Sequence, residues 1–213
     1  MKKIVFTIAL GLGLLTANAQ IQSLAGPRLG LVYLSTSPGS SFLNGDLQLD
    51  EMGDLPKNYN DIAKGALTSL YGWQWESRFA DGGDITGIVE WIALVGGMEK
   101  GMFLPSASSM VGLRTAKGIE FAVGPNLSLG GIAMVFGAGY NFKFGKLNVP
   151  VNIAYVPSMN KTYNHDAEYE WVEEYDGNGN YIGGGEIETS PAYSVTHPTG
   201  ARISVMVGFN LSK

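Results

Sequence analysis

The stretch that most constrains this chain is its last, Gly200 to Leu211: G-A-R-I-S-V-M-V-G-F-N-L. Ile203, Val205, Val207, Phe209 and Leu211 alternate there with Arg202, Ser204, Met206, Gly208 and Asn210. Successive side chains of a strand point to opposite faces, so one face is wholly apolar and the other small, polar or charged. A helix would need its apolar residues three and four apart. The same period-two pattern recurs about eight times along the chain. An all-β fold is predicted.

The first predicted strand runs from Pro27 to Thr36, with Leu29, Leu31 and Tyr33 opposed to Arg28 and Gly30. Residues Ser37 to Gly65 are rich in Gly, Ser, Asn and Asp and read as a long loop. Within it, Asn60 or Asp61 is placed to cap a short helical turn through Ile62, Ala63 and Lys64. Strand two, Thr68 to Ala80, carries Tyr71, Trp73, Trp75 and Phe79 against Gln74, Glu76 and Arg78. Strand three, Ile85 to Val95, sets Val89, Trp91, Ala93 and Val95 against Thr86 and Glu90. Strands four to seven follow at Ser106–Thr115, Ile119–Leu129, Ile132–Phe144 and Leu147–Val156. A long polar loop, Pro157 to Thr199, leads to the last strand.

The connections after strands two, four and six are short, those after one and seven are long, and that after three is intermediate. Only the connection after strand five departs from this rhythm, being short as well. Short turns alternating with long loops characterise up-and-down barrels that cross an outer membrane. The strands are about ten residues long, close to the ~9–11 that a tilted strand needs to cross hydrocarbon. Lipid offers no partner for backbone polar groups, so strands cross it only in a closed barrel.

Residues 1–19 read as a cleaved secretory signal peptide. Lys2 and Lys3 supply the positive start, Ile4 to Leu15 the apolar core, and Ala17-Asn18-Ala19 the cleavage site. The mature barrel domain is then 20–213. Loss of the two leader lysines leaves 12 basic against 19 acidic residues, a net charge of −7 in place of −5. That balance excludes a nucleic-acid partner, because no basic patch exists to neutralise phosphates. The chain has no cysteine, so disulfides, cysteine metal sites and thiol nucleophiles are out. Beyond the leader, even the most apolar segment, Ile85 to Val95, is broken by Gly87 and Glu90. No run approaches the ~20 apolar residues of a spanning helix.

Two arrangements suit these strands: a soluble barrel or sandwich with the aromatics inside, or a lipid-embedded barrel with them outside. The small faces favour the second. They are glycine-rich and hold isolated charges at Arg28, Glu76, Arg78, Glu90, Arg114, Glu120, Lys143 and Arg202. A water-exposed face would carry more charge, whereas a narrow lumen takes small residues and charges that pair. Eight strands leave an interior just wide enough for side chains, so these charges read as a salt-bridge plug and not a solute path. Tyr71, Trp73, Trp75, Trp91, Tyr140 and Tyr155 suit aromatic girdles at the membrane interfaces. The predicted fold is a closed antiparallel transmembrane β-barrel of about eight strands.

In this architecture the chain resembles the small eight-stranded outer-membrane barrels of double-membraned bacteria, of the OmpA/OmpX type. The likeness runs from Pro27 to Leu211. The final strand, with Val205, Val207, Phe209 and Leu211, is similar to the C-terminal signal read by the barrel-assembly machinery, although here it continues past Phe209 to Leu-Ser-Lys. The resemblance implies an outer-membrane location and contact with outer-membrane lipid. No peptidoglycan-binding domain is expected.

The loop Pro157 to Thr199 holds eight of the 19 acids: Asp166, Glu168, Glu170, Glu173, Glu174, Asp176, Glu186 and Glu188. Asp176-Gly-Asn178-Gly-Asn180 resembles the start of a calcium loop, but Tyr181 stands where its Gly belongs and Ile187 where its Glu belongs. A hairpin between Tyr169–Tyr175 and Tyr181–Glu188 is the preferred reading, with no metal and no cofactor. His165 and His197 are the only histidines, and no spacing pairs either with a serine nucleophile. The expected role is non-enzymatic: envelope structure, or an extracellular partner met through loops 37–65 and 157–199. The rivals are a lipid-modifying hydrolase or acyltransferase and a narrow solute channel.

Overall fold

The computed structural model describes residues 24–47 and 64–211. The leader and the turn expected at Asn60 to Ala63 lie outside them. In chain order the elements are β1 Leu24–Leu34, α1 Pro38–Asn44, β2 Ala66–Asp81, β3 Ile85–Gly96, β4 Leu104–Thr115, β5 Ile119–Ser128, β6 Gly131–Phe144 and β7 Leu147–Val156. Then come β8 Asn160–His165, β9 Glu168–Tyr175, β10 Tyr181–Ser190, β11 Tyr193–Pro198, β12 Arg202–Gly208 and β13 Asn210–Leu211. They fall into two units, one of residues 1–34, 67–157 and 201–213, the other of 35–66 and 158–200.

The first unit is a closed antiparallel barrel. Its strands run β12-β1-β2-β3-β4-β5-β6-β7-β13, and β12 also pairs with β7. β12 and β13 keep one register against β7, with Val207 opposite Val151 and Asn210 opposite Asn148. They are one strand interrupted at Phe209, so the barrel has eight. Every predicted strand forms, with ends displaced by up to three residues (β1 begins at Leu24, not Pro27). β2 is longest because Ala66 and Leu67 extend its alternation toward the preceding loop.

The alternation decides which side chains meet which surroundings. Leu31, Trp91, Phe121 and Ile153 point outward and are 54–63% exposed. From the opposite parity of neighbouring positions, Ile92, Met110, Val135 and Val156 form a buried cluster, with Ala122, Ala133 and Ala154 packed on it. Beside it the lumen holds a polar group, Arg28, Gln74, Glu76, Glu90, Arg114 and Glu120, all at most 5% exposed, together with buried Ile88, Leu70 and Met206. An ordinary soluble core is thus turned inside out.

The second unit holds the connections after β1 and β7. The segment from Ser37 expected as loop contains the helix α1. Ser37 caps α1: its Oγ accepts from the Ser40 N–H at 3.2 Å, and its own N–H donates to Ser40 Oγ at 2.9 Å. Pro38 fills the first turn, where an N–H has no partner to lose, and Gly45 ends the helix at φ 73°. Of the last long loop, β9 and β10 form the predicted hairpin, while β8 and β11 form a second ladder, Asn160–His165 against Tyr193–Pro198.

Glycine bounds the space inside the barrel at several places, and Gly208 is the one beside the charged cluster. Gly208 lies directly across from Arg28, and a Cβ there would stand inside the Arg28 guanidinium. Replacing Gly208 by Ala is therefore expected to displace Arg28 and destabilise the barrel by about 1–3 kcal/mol, the usual cost of overpacking. A lowered urea midpoint of the purified protein in detergent would show it; an unchanged midpoint would refute the packing argument.

Candidate functional site: a buried charge network

Arg114 is the centre of the lumen. Inward parity on β4 sets it opposite Glu120 of β5, and its length carries it across to Glu76 of β2. Nη1 and Nη2 donate to the two Glu76 carboxylate oxygens, each at 2.5 Å, and Nε donates to Glu120. The planar guanidinium suits this use, since its fork matches a carboxylate with two parallel bonds while a third donor remains.

A second chain of bonds runs beside it. Arg28 donates from Nε to Gln74 Oε1 at 2.8 Å, and from Nη1 to Asn210 Oδ1 at 3.0 Å and the Pro27 carbonyl at 3.1 Å. The Gln74 amide in turn donates to Glu90 at 2.5 Å. Glu76 and Glu90 are direct cross-strand partners, a like-charge pairing that would repel if left alone. Arg114 grips one and Gln74 the other, so each carboxylate turns to a donor.

The eight charges named from sequence divide accordingly. Arg28, Glu76, Glu90, Arg114 and Glu120 come together in the buried cluster. Arg78 stands at its edge, 4.0 Å from Glu76, with its side chain 26% exposed. Arg202 lies apart and donates to Ser128 Oγ at 2.8 Å. Lys143 is exposed next to the β6–β7 turn. Gln74 and Asn210 link these charges without carrying one themselves, and inward parity is their only signal in the sequence.

The six aromatics expected to form girdles all face outward, between 41% and 56% exposed. Trp75 and Trp91 face each other across β2 and β3. Tyr155 sits near the end of β7 that leads to the long loop, and Tyr140 near the β6–β7 turn, opposite Val151. Val205 and Phe209 also face outward, and Val205 and Val207 lie against Ile153 and Val151 of β7. Leu211 pairs with Leu147 through the backbone.

At the other end of β3, the 3-10 turn Met98–Lys100 is clasped onto β2. Glu99 accepts from Thr68 Oγ1 at 2.5 Å, from the Ser69 N–H at 3.2 Å and from the Ser69 hydroxyl. Those bonds to Ser69 and Thr68 hold its carboxyl down at about 2. In the hairpin, Asp176 Oδ1 accepts from the N–H groups of Asn178 at 2.9 Å and Asn180 at 2.8 Å, and Oδ2 accepts from the Asn180 amide at 3.1 Å. The residues that resemble a calcium loop thus build the turn. Of the histidines, His165 stacks on Tyr193 with ring centroids 4.5 Å apart, and His197 is buried 6.5 Å from the Tyr163 ring.

No protein-family profile, curated protein or solved structure matches the chain. The fold defines its class: a closed eight-stranded antiparallel barrel with a charged lumen.

Two outcomes follow from this geometry. Arg114→Met strands Glu76 and Glu120 in the lumen and is expected to cost about 3–5 kcal/mol, as when one partner of a buried pair is removed. Arg114→Lys, without the fork, should recover only part of it, measured by denaturant unfolding in detergent. For Glu99 the folded-state value lies below the unfolded one. Its clasp is therefore fully present above pH 4.5 and weakens as pH falls toward about 2. The protection factor of the Ser69 amide, its exchange rate taken against the intrinsic rate at each pH, should be high at pH 5 and fall near pH 2, whereas Glu99→Gln should show a low one at both.

Proposed function

We propose that this chain is exported and inserted into the outer membrane of a double-membraned bacterium as a small non-enzymatic barrel. Its lumen is a structural plug. Its connections after β1 and β7 face the medium as a surface for interaction. The observation that carries this reading is the inverted polarity of the barrel: a belt of exposed Leu, Ile, Phe and Trp around a buried ion-pair network. Water around that belt would leave a large contiguous apolar surface unsatisfied. Hydrocarbon around it removes the cost, and closure leaves no strand edge to desolvate.

The same features bear on the rivals. The Arg114 and Arg28 clusters, with the apolar cluster at Ile92 and Met110, occupy the lumen that a solute path would need. The histidines that a lipid hydrolase would use as bases lie among rings in the β8–β11 ladder. Outer-membrane lipid is the proposed medium. The outward face of the last strand, Val205, Val207 and Phe209, is the proposed handle for the assembly machinery.

Cell fractionation with gel analysis of unboiled against boiled samples tests the proposal. The expected result is an outer-membrane band that migrates faster unboiled. A soluble protein with one mobility would sink it. In planar bilayers the filled lumen should give no discrete conductance, and regular steps would favour the channel.

A further inference from the structure

Among the described residues, β9 and β10 pair only with each other, which leaves an unpaired edge on each strand. Every residue of β9 is exposed. A lone two-stranded ladder is at best marginally stable in water, yet this one displays Tyr169 and Trp171, each more than half exposed. Such a face is built to be covered.

Its register shows by what. Tyr169 is opposite Glu188 and Trp171 opposite Glu186. Partners across a ladder share a face, so an aromatic ring stands beside a carboxylate twice, two residues apart or about 6.8 Å. Gly184 makes room for the larger ring: a Cβ there would lie 2.7 Å from the indole Nε1 of Trp171. Toward the turn, Tyr175 and Tyr181 meet edge to face with centroids 5.9 Å apart. From Asp166 to Ser190 the chain has eight acids and neither Lys nor Arg.

We propose that this hairpin face docks a basic, extended segment of another protein that carries Arg or Lys at alternate positions. A strand laid along the ladder repeats its side chains on one face every two residues, matching the aromatic–carboxylate spacing. Each guanidinium stacks on a ring and pairs with the neighbouring carboxylate. The charge excess repels anionic lipid and nucleic acid. A neutral glycan would use the rings and leave the charge without a complement. The inference rests on the surface-display reading above.

The test uses the full chain folded in detergent and a fluorescent peptide of repeated Arg-Thr pairs. A peptide of the same composition with its arginines contiguous is the control. Anisotropy should show binding to the alternating peptide, weaker binding to the control, and about tenfold loss in both Trp171→Ala and Glu186→Gln/Glu188→Gln. Equal binding of the two peptides, or no effect of either variant, would overturn the inference, as would preference for a neutral oligosaccharide. Display is read separately. Because the chain lacks cysteine, Gly177→Cys at the open turn gives a single thiol for an impermeant maleimide on intact cells. Labelling without peptide binding overturns the docking role alone. Absence of labelling overturns surface display, and the docking role with it.

Discussion

Everything in the barrel depends on the double pairing of β12, with β1 on one side and β7 on the other. This closure removes the free edges that an eight-stranded sheet would otherwise present. It also fixes the radius. At eight strands the lumen is only as wide as the side chains that fill it. Each inward residue must then be small, or must find its partner among other inward residues. Gly208 is small so that Arg28 fits beside it, and Arg114 is long enough to reach Glu76 on β2 as well as Glu120 on β5.

A buried ion pair is seldom a net gain over apolar packing, because taking both charges out of water costs as much as their attraction returns. The lumen keeps its charges nonetheless, and their arrangement shows what they supply. Arg114 ties β4 to β2 and β5, and Arg28 ties β1 to β2 and β13. These bonds cross the lumen between strands that are not all neighbours, so a slipped register would break several of them together. Leu or Ile in the same places would tolerate slippage. The network favours one closure among those that backbone hydrogen bonding alone would allow, a constraint that the largely apolar outside of the barrel does not supply.

The two units divide the chemistry of the chain. Within the barrel strands Glu76, Glu90 and Glu120 point inward, against Arg or Gln. The β9–β10 hairpin carries acids on both faces, so neither face could lie against hydrocarbon. Its Tyr169 and Trp171 stand beside carboxylates, whereas the aromatics of the barrel stand mostly beside apolar residues and other aromatics. Tyr and Trp thus serve two ends in one sequence: a broad apolar belt in one unit, and rings with charged neighbours in the other.

The eight barrel strands, their facing and the hairpin turn at Asp176 to Asn180 were legible in the sequence, because period-two alternation and glycine-asparagine turns are local signals. The buried charges could be named by parity, but not sorted: only register puts Arg114 within reach of Glu76 and leaves Arg202 and Lys143 outside the cluster. Gln74 and Asn210 were passed over because an uncharged side chain looks incidental until its partner is known. The α1 helix left a weak trace, since Ser37, Pro38 and Gly45 are good caps around a segment too short to show apolar periodicity. The β8–β11 ladder left none, because Asn160 to His165 shows no alternation of apolar residues. The sequence determined which residues face which way, since that follows from the geometry of each strand. The tertiary structure decided which of them meet, since that follows from closure.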